Sequence, residues 1–450
     1  MDKARETSLT ALMEIETKGA YSNLVLKKVL RSNSLDTRDR AFITELVYGT
    51  ITRKLTLDWI ISRFSKIKPA KLSRWVLLIL RLGIYQIMYL DRIPQSAACN
   101  TSVSLAKKYE KASGGFVNAV LRNICRGKDG IKFPDSTEGS LAKNMSIRYS
   151  FPEYLAEAWI AEYGEEFTQE LLKSLLERPE FTVRANTLKT SREELIEELL
   201  EEGIESVPGR VCDEALFLRN VSDISQTKAY IDGMIIVQDE SSMLVTKVLD
   251  PKPGERILDV CSAPGGKATH IGQYMKNEGE IVAWDIHEHK TQLIRENAAR
   301  LGIKNIEVEQ RDALLPAEEI KGRFNRVLVD APCSGTGIIR RKPDIKWHRK
   351  PDDFGSLVEI QRKILYNASR AVTLGGILVY STCSLDNREN SHVIRAFLSE
   401  NSDFTVEPLI GCLPGGINGK KDINHGMLNL FPHIDGTDGF FIARLRRNEG

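Results

Sequence analysis

The stretch that most constrains this chain is RILDVCSAPGGKATH, Arg256 to His270. Ile257, Leu258 and Val260 form a short apolar run, the pattern of a parallel strand buried on both faces. The run stops at Cys261. Ser262, Ala263, Pro264, Gly265 and Gly266 then make a tight turn, and Lys267 begins a helix. Strand, glycine-bearing turn and helix N-terminus form the geometry that brings an anionic or ribose-bearing cofactor against backbone amides. Gly265 and Gly266 permit that approach. An ordinary strand-to-helix turn is the plainer reading. There is no G-x-G-x-x-G and no G-x-x-x-x-G-K-[ST], so neither a typical dinucleotide loop nor an ATP loop is indicated.

From Pro251 onward strand and helix patterns alternate. Strands fit Arg256–Val260, Glu280–Asp285, Ile306–Gln310, Arg326–Asp330 and Gly376–Ser381. Helices fit Lys267–Met275, His287–Leu301, Pro351–Val372 and Arg388–Leu398. Such alternation predicts an α/β fold, a doubly wound parallel sheet with helices on both faces. Ligands in these sheets sit beyond the carboxyl ends of the strands. Cys261, Asp285, Asp312, Asp330, Cys333 and Cys383 each follow the last apolar residue of a strand.

What precedes this region differs in kind. Residues 1–126 carry apolar residues at helical spacing, as in Leu9, Leu12, Met13 and Ile15, and predict a compact all-α bundle. Gly127 to Ser140 reads as a linker. A helical pattern returns from Asn144 to Arg178. FTVRANTLK, Phe181 to Lys189, is strand-like, and Thr190 and Ser191 cap an acidic helix ending at Gly203. Three domains are expected, over 1–130, 141–235 and 236–450. Charge separates them too: residues 1–130 hold 23 Lys+Arg against 11 Asp+Glu, whereas 131–230 hold 11 against 20. A basic module suggests a polyanion partner, most simply nucleic acid, against the alternative of a solvated basic surface.

The seven Cys are scattered without a C-x-x-C pair, so neither a metal site nor a disulfide framework is expected. The N-terminus lacks the apolar core of a signal peptide. The most apolar stretch, Trp75 to Leu90, is 16 residues long with Arg81 in its middle, too short and too charged to cross a bilayer. These features predict a reduced, cytoplasmic protein with no membrane partner; a monomer is expected.

The acids and thiols at the strand ends carry the chemistry. Asp285 lies 26 residues after Asp259, where a carboxylate can accept from both hydroxyls of a ribose. Asp312, after the next strand, can meet an adenine amino group. Each alone could be a helix cap; three acids after successive strands point to a nucleoside. Since the glycine turn has no phosphate signature, S-adenosylmethionine fits. Cys333 in RVLVDAPCSGTG and Cys383 in GILVYSTCS stand 50 residues apart, each past a strand on the ligand side. A lone cysteine is usually a small buried hydrophobe. Two thiols facing a methyl donor suit the methylation of cytosine C5, a poor nucleophile until a thiolate adds to C6. Asp330 could then bond the base's Watson–Crick edge. Oxidised pairing of the two cysteines is the rival reading. The segment Ile338 to Lys350, with six Lys+Arg, one Trp and one His, suits phosphate contact and stacking on an unpaired RNA segment, or is a solvated loop.

CSAPGGK at 261–267, DAPCSGTG at 330–337 and YSTCS at 380–384 resemble the RNA cytosine-C5 methyltransferases of the Sun group. The likeness runs through the last 210 residues or so, with Ser262 where Ala is common. RDRAFITELVYGTI and FVNAVLRN resemble a NusB-like RNA-binding domain. The piece before the catalytic region resembles a small RRM-like subdomain. The resemblance implies a Rossmann-like class I methyltransferase fold. It implies that Cys261, Ser262, Ala263, Pro264, Gly265, Gly266, Lys267, Asp285, Asp312 and Asp330 bind S-adenosylmethionine. It implies Cys383 as nucleophile and Cys333 as the group needed for product release; Cys333 is the alternative nucleophile. The fusion with a NusB-like domain implies 16S rRNA as substrate, at cytosine 967. Methylation of tRNA or large-subunit rRNA, or a non-catalytic RNA-binding or antitermination role, stand as alternatives.

Overall fold

A computed structural model describes residues 2–449 apart from 33–34, 136–138, 222, 416 and 418–419. The chain divides into two compact units, Met1–Glu177 with Ile339–Arg349, and Arg178–Ile338 with Lys350–Gly450.

The first unit is helical. Helices Lys3–Lys18, Ser22–Ser32, Thr37–Thr52, Lys54–Phe64, Arg74–Tyr89, Gln95–Tyr109 and Gly114–Gly127 build its core. Their ends follow local chemistry: Asp36 accepts the Asp39 amide at 2.7 Å, and Ser73 accepts the Val76 amide at 3.3 Å. The helix Arg74–Tyr89 holds the most apolar stretch and is almost wholly buried. Its internal Arg81 is satisfied by Asp58, both bonds at 2.7 Å, which is how a guanidinium survives at 5% side-chain exposure. Leu141–Tyr149, Glu153–Tyr163 and Glu165–Ser174 join this unit. The stretch expected as one domain, 141–235, is therefore divided after Glu177. Of the expected linker, Phe133 packs on Trp59 with ring centroids 5.2 Å apart; its residues 136–138 lie outside the described residues.

Of the basic segment after Cys333, Lys346 and Trp347 pack into the first unit, whereas Lys342 and Lys350 are exposed. Ile339–Arg349 is part of the first unit. Trp347 Nε1 donates to the Ile51 carbonyl at 2.9 Å. Lys346 is fully buried, donates to the Thr52 carbonyl at 2.9 Å and lies 3.9 Å from the Phe151 ring centroid. Asp344 accepts from the Ser22 amide and hydroxyl. Lys346, which reads as part of a nucleic-acid surface, is core here, because a π-face and a carbonyl satisfy the ammonium where water cannot.

The second unit holds two sheets. The smaller is antiparallel, with β1 (Phe181–Ala185), β2 (Glu205–Pro208), β3 (Ala215–Arg219) and β4 (Ile235–Val237) in the order β2-β3-β1-β4. Its helix Arg192–Glu201 starts with a capping box of Ser191 and Glu194. The larger sheet comprises β5 (Arg256–Val260), β6 (Glu280–Asp285), β7 (Ile306–Gln310), β8 (Phe324–Asp330), β9 (Val372–Thr382), β10 (Phe404–Val406), β11 (Met427–Leu430) and β12 (Phe440–Arg447). The order is β10-β12-β9-β8-β5-β6-β7, with β11 on β12. β5 to β9 are parallel, and Ile257, Leu258, Val327, Leu328 and Val329 are fully buried between covering helices. β12 runs antiparallel to both β9 and β10, so the sheet is mixed rather than wholly parallel. FFIARLRR does not read as a strand because of its arginines. In the fold Arg446 pairs with Glu407 and Arg447 with Asp403.

Among the described residues, no helix is long and apolar enough to cross a membrane, and no His/Cys/Asp/Glu group could hold a metal ion.

Burial, then the nearby Arg53, lowers the Lys346 ammonium from its ordinary 10.5. Between the folded value and 10.5 the unfolded chain holds a proton that the folded lysine has lost. Stability should therefore rise with pH in that window, by up to about 1.4 kcal/mol per pH unit. Lys346→Met should abolish that slope. Urea unfolding followed by fluorescence checks this, since Trp59, Trp75, Trp159 and Trp347 lie in the first unit; identical slopes would refute it.

Candidate active site

The glycine turn is held from several sides. After β5, Cys261 adopts φ 62°, and the Ser262 amide donates to the Trp284 carbonyl at 2.8 Å, fixing the turn to the end of β6. The Ser262 hydroxyl donates to Asp259 Oδ2 at 2.8 Å. Gly265, at φ 95°, precedes the helix Gly266–Tyr274 and lies where a Cβ would come 3.2 Å from Ile294. The first amides of that helix lack intrahelical acceptors and supply donors at the turn.

The small sheet grips the same turn. Arg184 of β1, 1% exposed, donates to the Gly266 carbonyl at 2.8 Å and to Thr269 Oγ1 at 3.2 Å. Burial lowers this guanidinium to about 9. On the next turn of the helix, fully buried His270 meets Glu214 at 3.1 Å, and Lys247 meets the other Glu214 oxygen at 3.1 Å. Burial, reinforced by nearby Arg184, pushes His270 down to about 3, so the ring is neutral.

The strand-end acids converge on this turn. Burial first, then the carboxylates of Asp330, Asp285 and Asp259, push the Cys261 thiol up. Burial raises Asp259 to about 7 despite its bond from Ser262, and its Oδ1 has no hydrogen-bond partner among the described residues. Asp285, 6% exposed, accepts the His287 amide at 3.1 Å. The Arg311 amide donates to the Asp285 carbonyl at 3.0 Å, which sets Asp312 beside it in the chain. Asp312 Oδ1 accepts the Leu314 amide at 2.9 Å. Lys267 Nζ donates to Asp330 Oδ2 at 2.6 Å, and the Ser381 hydroxyl donates to Asp330 Oδ1 at 2.8 Å. Lys267 is thus engaged by Asp330. The donor and acceptor set fits S-adenosylmethionine: carboxylates for ribose and amine, and helix amides for the cofactor's carboxylate.

Past β8 and β9 the two thiols meet. Cys333 Sγ and Cys383 Sγ are 3.1 Å apart, too far for a disulfide bond and close enough for a hydrogen bond between sulfurs. The neighbouring sulfur, burial and the Glu389 carboxylate raise the Cys333 thiol well above its ordinary range. The Gly337 amide donates to the Cys383 carbonyl at 2.9 Å, and a Cβ on Gly337 would fall 2.0 Å from the Gly439 carbonyl. Only glycine lets the two loops and β12 come together. Sequence reasoning missed Glu389, Arg184, Ser334 and Ser384. Arg184 and Glu389 meet partners 82 and 55 residues away, which no local pattern marks, and the two serines lie in motifs read only for their cysteines.

The first unit offers a separate basic surface. Arg63, Lys66, Lys68, Lys71 and Arg74, at the end of one helix and the start of the next, are all exposed.

Comparison with known proteins adds the family. Residues 246–446 match the model of 16S rRNA methyltransferase RsmB/F, residues 2–126 the NusB family, and residues 151–225 the ferredoxin-like domain of RsmF/B-like methyltransferases. The probable ribosomal RNA small subunit methyltransferase B of Bacillus subtilis is 43% identical over 446 residues, covering 98% of each chain. That of Synechocystis is 35% identical, covering 99% of this chain and 100% of its own. The crystal structure of PH0851 aligns with TM-score 0.82 at 27% identity over 99% of both chains. NSun6 from Pyrococcus horikoshii, solved with SFG, aligns with TM-score 0.60 at 26% identity over 67% of this chain and 100% of that one. Motif, fold and full-length likeness agree: the chain belongs to the RsmB/F family of 16S rRNA methyltransferases and is an S-adenosylmethionine-dependent RNA methyltransferase.

Proposed function

We propose that this enzyme methylates C5 of a cytosine in 16S rRNA through a covalent bond between Cys383 and C6. The observation that carries the reading is the pair of thiols, 3.1 Å apart, past the ends of adjacent strands β8 and β9. When bound, S-adenosylmethionine supplies a methyl group made electrophilic by its sulfonium. The Cys383 thiolate adds to C6, and the C5–C6 π electrons move to make C5 nucleophilic. C5 takes the methyl group as the sulfonium leaves as a neutral thioether; a general base then takes the C5 proton, the C–H electron pair re-forms the C5=C6 bond, and the S–C6 bond breaks to return the Cys383 thiolate. Cys333, held as a thiol, is placed to hydrogen-bond to the departing Cys383 sulfur. Asp330, fixed by Lys267 and Ser381 through one bond on each oxygen, retains acceptor capacity for cofactor or base. The target must leave its stack to reach the sulfurs.

Asp285, Asp312 and the turn Cys261 to Lys267 form the cofactor site in this reading. The substrate assignment rests on likeness to small-subunit methyltransferases, and cytosine 967 is the position to test first. Mapping 5-methylcytosine in rRNA from cells with and without the gene decides between this site and a tRNA or large-subunit target. The enzyme is read as a cytoplasmic monomer.

Three outcomes follow. Cys383→Ala should be inactive and form no RNA adduct, whereas Cys333→Ala should accumulate a protein–RNA adduct seen as a slow band on a denaturing gel. The reverse pattern would exchange the roles, and methylation by both variants without any adduct would end the covalent reading. Asp285→Ala should lose roughly 1.5–3 kcal/mol of S-adenosylmethionine affinity by calorimetry, about tenfold to 150-fold. Replacing Lys66, Lys68, Lys71 and Arg74 together by Ala should weaken rRNA binding and flatten its log–log salt slope by up to about 3, leaving cofactor affinity intact. An unchanged slope would move the RNA surface elsewhere.

A further inference from the structure

Both thiol loops meet on one carboxylate, Glu389, carried by the loop of Cys383 between β9 and the helix Ser391–Glu400. Glu389, 0% exposed, follows Cys383 by six residues. Its Oε1 accepts the Ser384 hydroxyl at 2.6 Å. Its Oε2 accepts the Ser334 amide at 2.8 Å and Gln361 Nε2 at 2.9 Å. Ser334 directly follows Cys333, and Ser384 directly follows Cys383. The same Gln361 amide donates to the Pro332 carbonyl at 3.0 Å, so the residue before Cys333 is bound into the set as well. The Glu389 backbone carbonyl accepts the Tyr380 hydroxyl at 2.7 Å, anchoring the carboxylate to β9. Ser384 Oγ also meets Ser334 Oγ at 3.1 Å and Thr336 Oγ1 at 3.3 Å.

Among the described residues no cation pairs with this buried carboxylate; hydrogen-bond donors alone satisfy it. A charge held in a dry interior by dipoles from two loops fixes both loops, because releasing either one strands a buried acceptor. We propose that Glu389 is the positioning residue of the thiol pair: its carboxylate bolts the loop of Cys333 to the loop of Cys383 and so sets the distance between their sulfurs. The role in methylation rests on the reading of these thiols as the reacting groups. The charge adds to the neighbouring sulfur and to burial in keeping Cys333 a thiol.

The test uses the full-length protein and reads the sulfur geometry without catalysis. Diamide oxidises adjacent thiols, and mass spectrometry of peptides follows the Cys333–Cys383 disulfide. In Glu389→Ala, disulfide formation and steady-state kcat should each fall by about tenfold or more, while KM for rRNA and S-adenosylmethionine affinity stay within about twofold. Glu389→Gln can still accept the Ser334 amide and meet the Ser384 hydroxyl. It should recover most of the disulfide rate, with the pH midpoint of thiol coupling moved lower because the charge is gone. A merely structural residue would lower cofactor affinity in parallel and show no recovery with Gln; that result overturns the proposal. If Glu389→Ala proves too unstable to bind cofactor, Ser384→Ala carries the test, and coupling at the wild-type rate overturns the proposal. Slow coupling with undiminished turnover would keep the clamp and remove the reading of these thiols as the reacting pair. Wild-type coupling with slowed methylation would remove the clamp.

Discussion

The ion pair between Lys267 and Asp330, at 2.6 Å, joins the two halves of the site. Lys267 stands at the start of the helix after the glycine turn, and Asp330 is the last residue of β8, three residues before Cys333. Ser381, two residues before Cys383, holds the other Asp330 oxygen. One carboxylate therefore sets the glycine turn in register with the ends of β8 and β9. With its side chains only partly exposed, at 11% and 28%, the pair is sheltered from the screening that weakens surface ion pairs. If this contact is displaced, the turn, the thiol loops and the acid that lies between them lose their common reference.

Much of this site is legible from sequence because parallel strands speak plainly. A buried run such as Ile257 to Val260 ends where polarity begins, and the residue at that end faces the ligand side by the logic of the fold. Cys261, Asp285, Asp312, Asp330, Cys333 and Cys383 are found this way, without any knowledge of what they touch. Glu389 and Arg184 are not, since their meaning lies in partners 55 and 82 residues away. Lys346 and Trp347 are misread for a related reason. A basic aromatic loop looks the same in sequence whether its ammonium meets phosphate or a Phe151 ring and a carbonyl. The arginines of β12 hide a strand, because the acids that pair with them lie on other segments.

The second unit buries a set of polar and charged side chains beside the glycine turn. Arg184, His270 and Glu214 come from β1, from the helix after the turn and from the approach to β3, with Lys247 on a further helix. Well-packed apolar residues could fill the same space at least as stably. What the polar set adds is direction, since hydrogen bonds accept one geometry where apolar contacts accept many. The small sheet is thereby fixed to the glycine turn at the level of single carbonyl groups.

The segment Ile339–Arg349 gives the chain a particular order of assembly. The first unit's other residues end at Glu177, about 160 residues before this segment. At the usual 5–20 residues per second, a ribosome needs roughly 8 to 30 s to cover that interval. Throughout it, the carbonyls of Ile51 and Thr52 lack the donors that later satisfy them, and the Phe151 ring lacks its cation. The contacts of Lys346 and Trp347 with the first unit form only after most of the second unit's sequence has left the peptidyl transferase centre. The late segment thus finishes a unit whose core residues, Ala4 to Ile124, were all made before the second unit began.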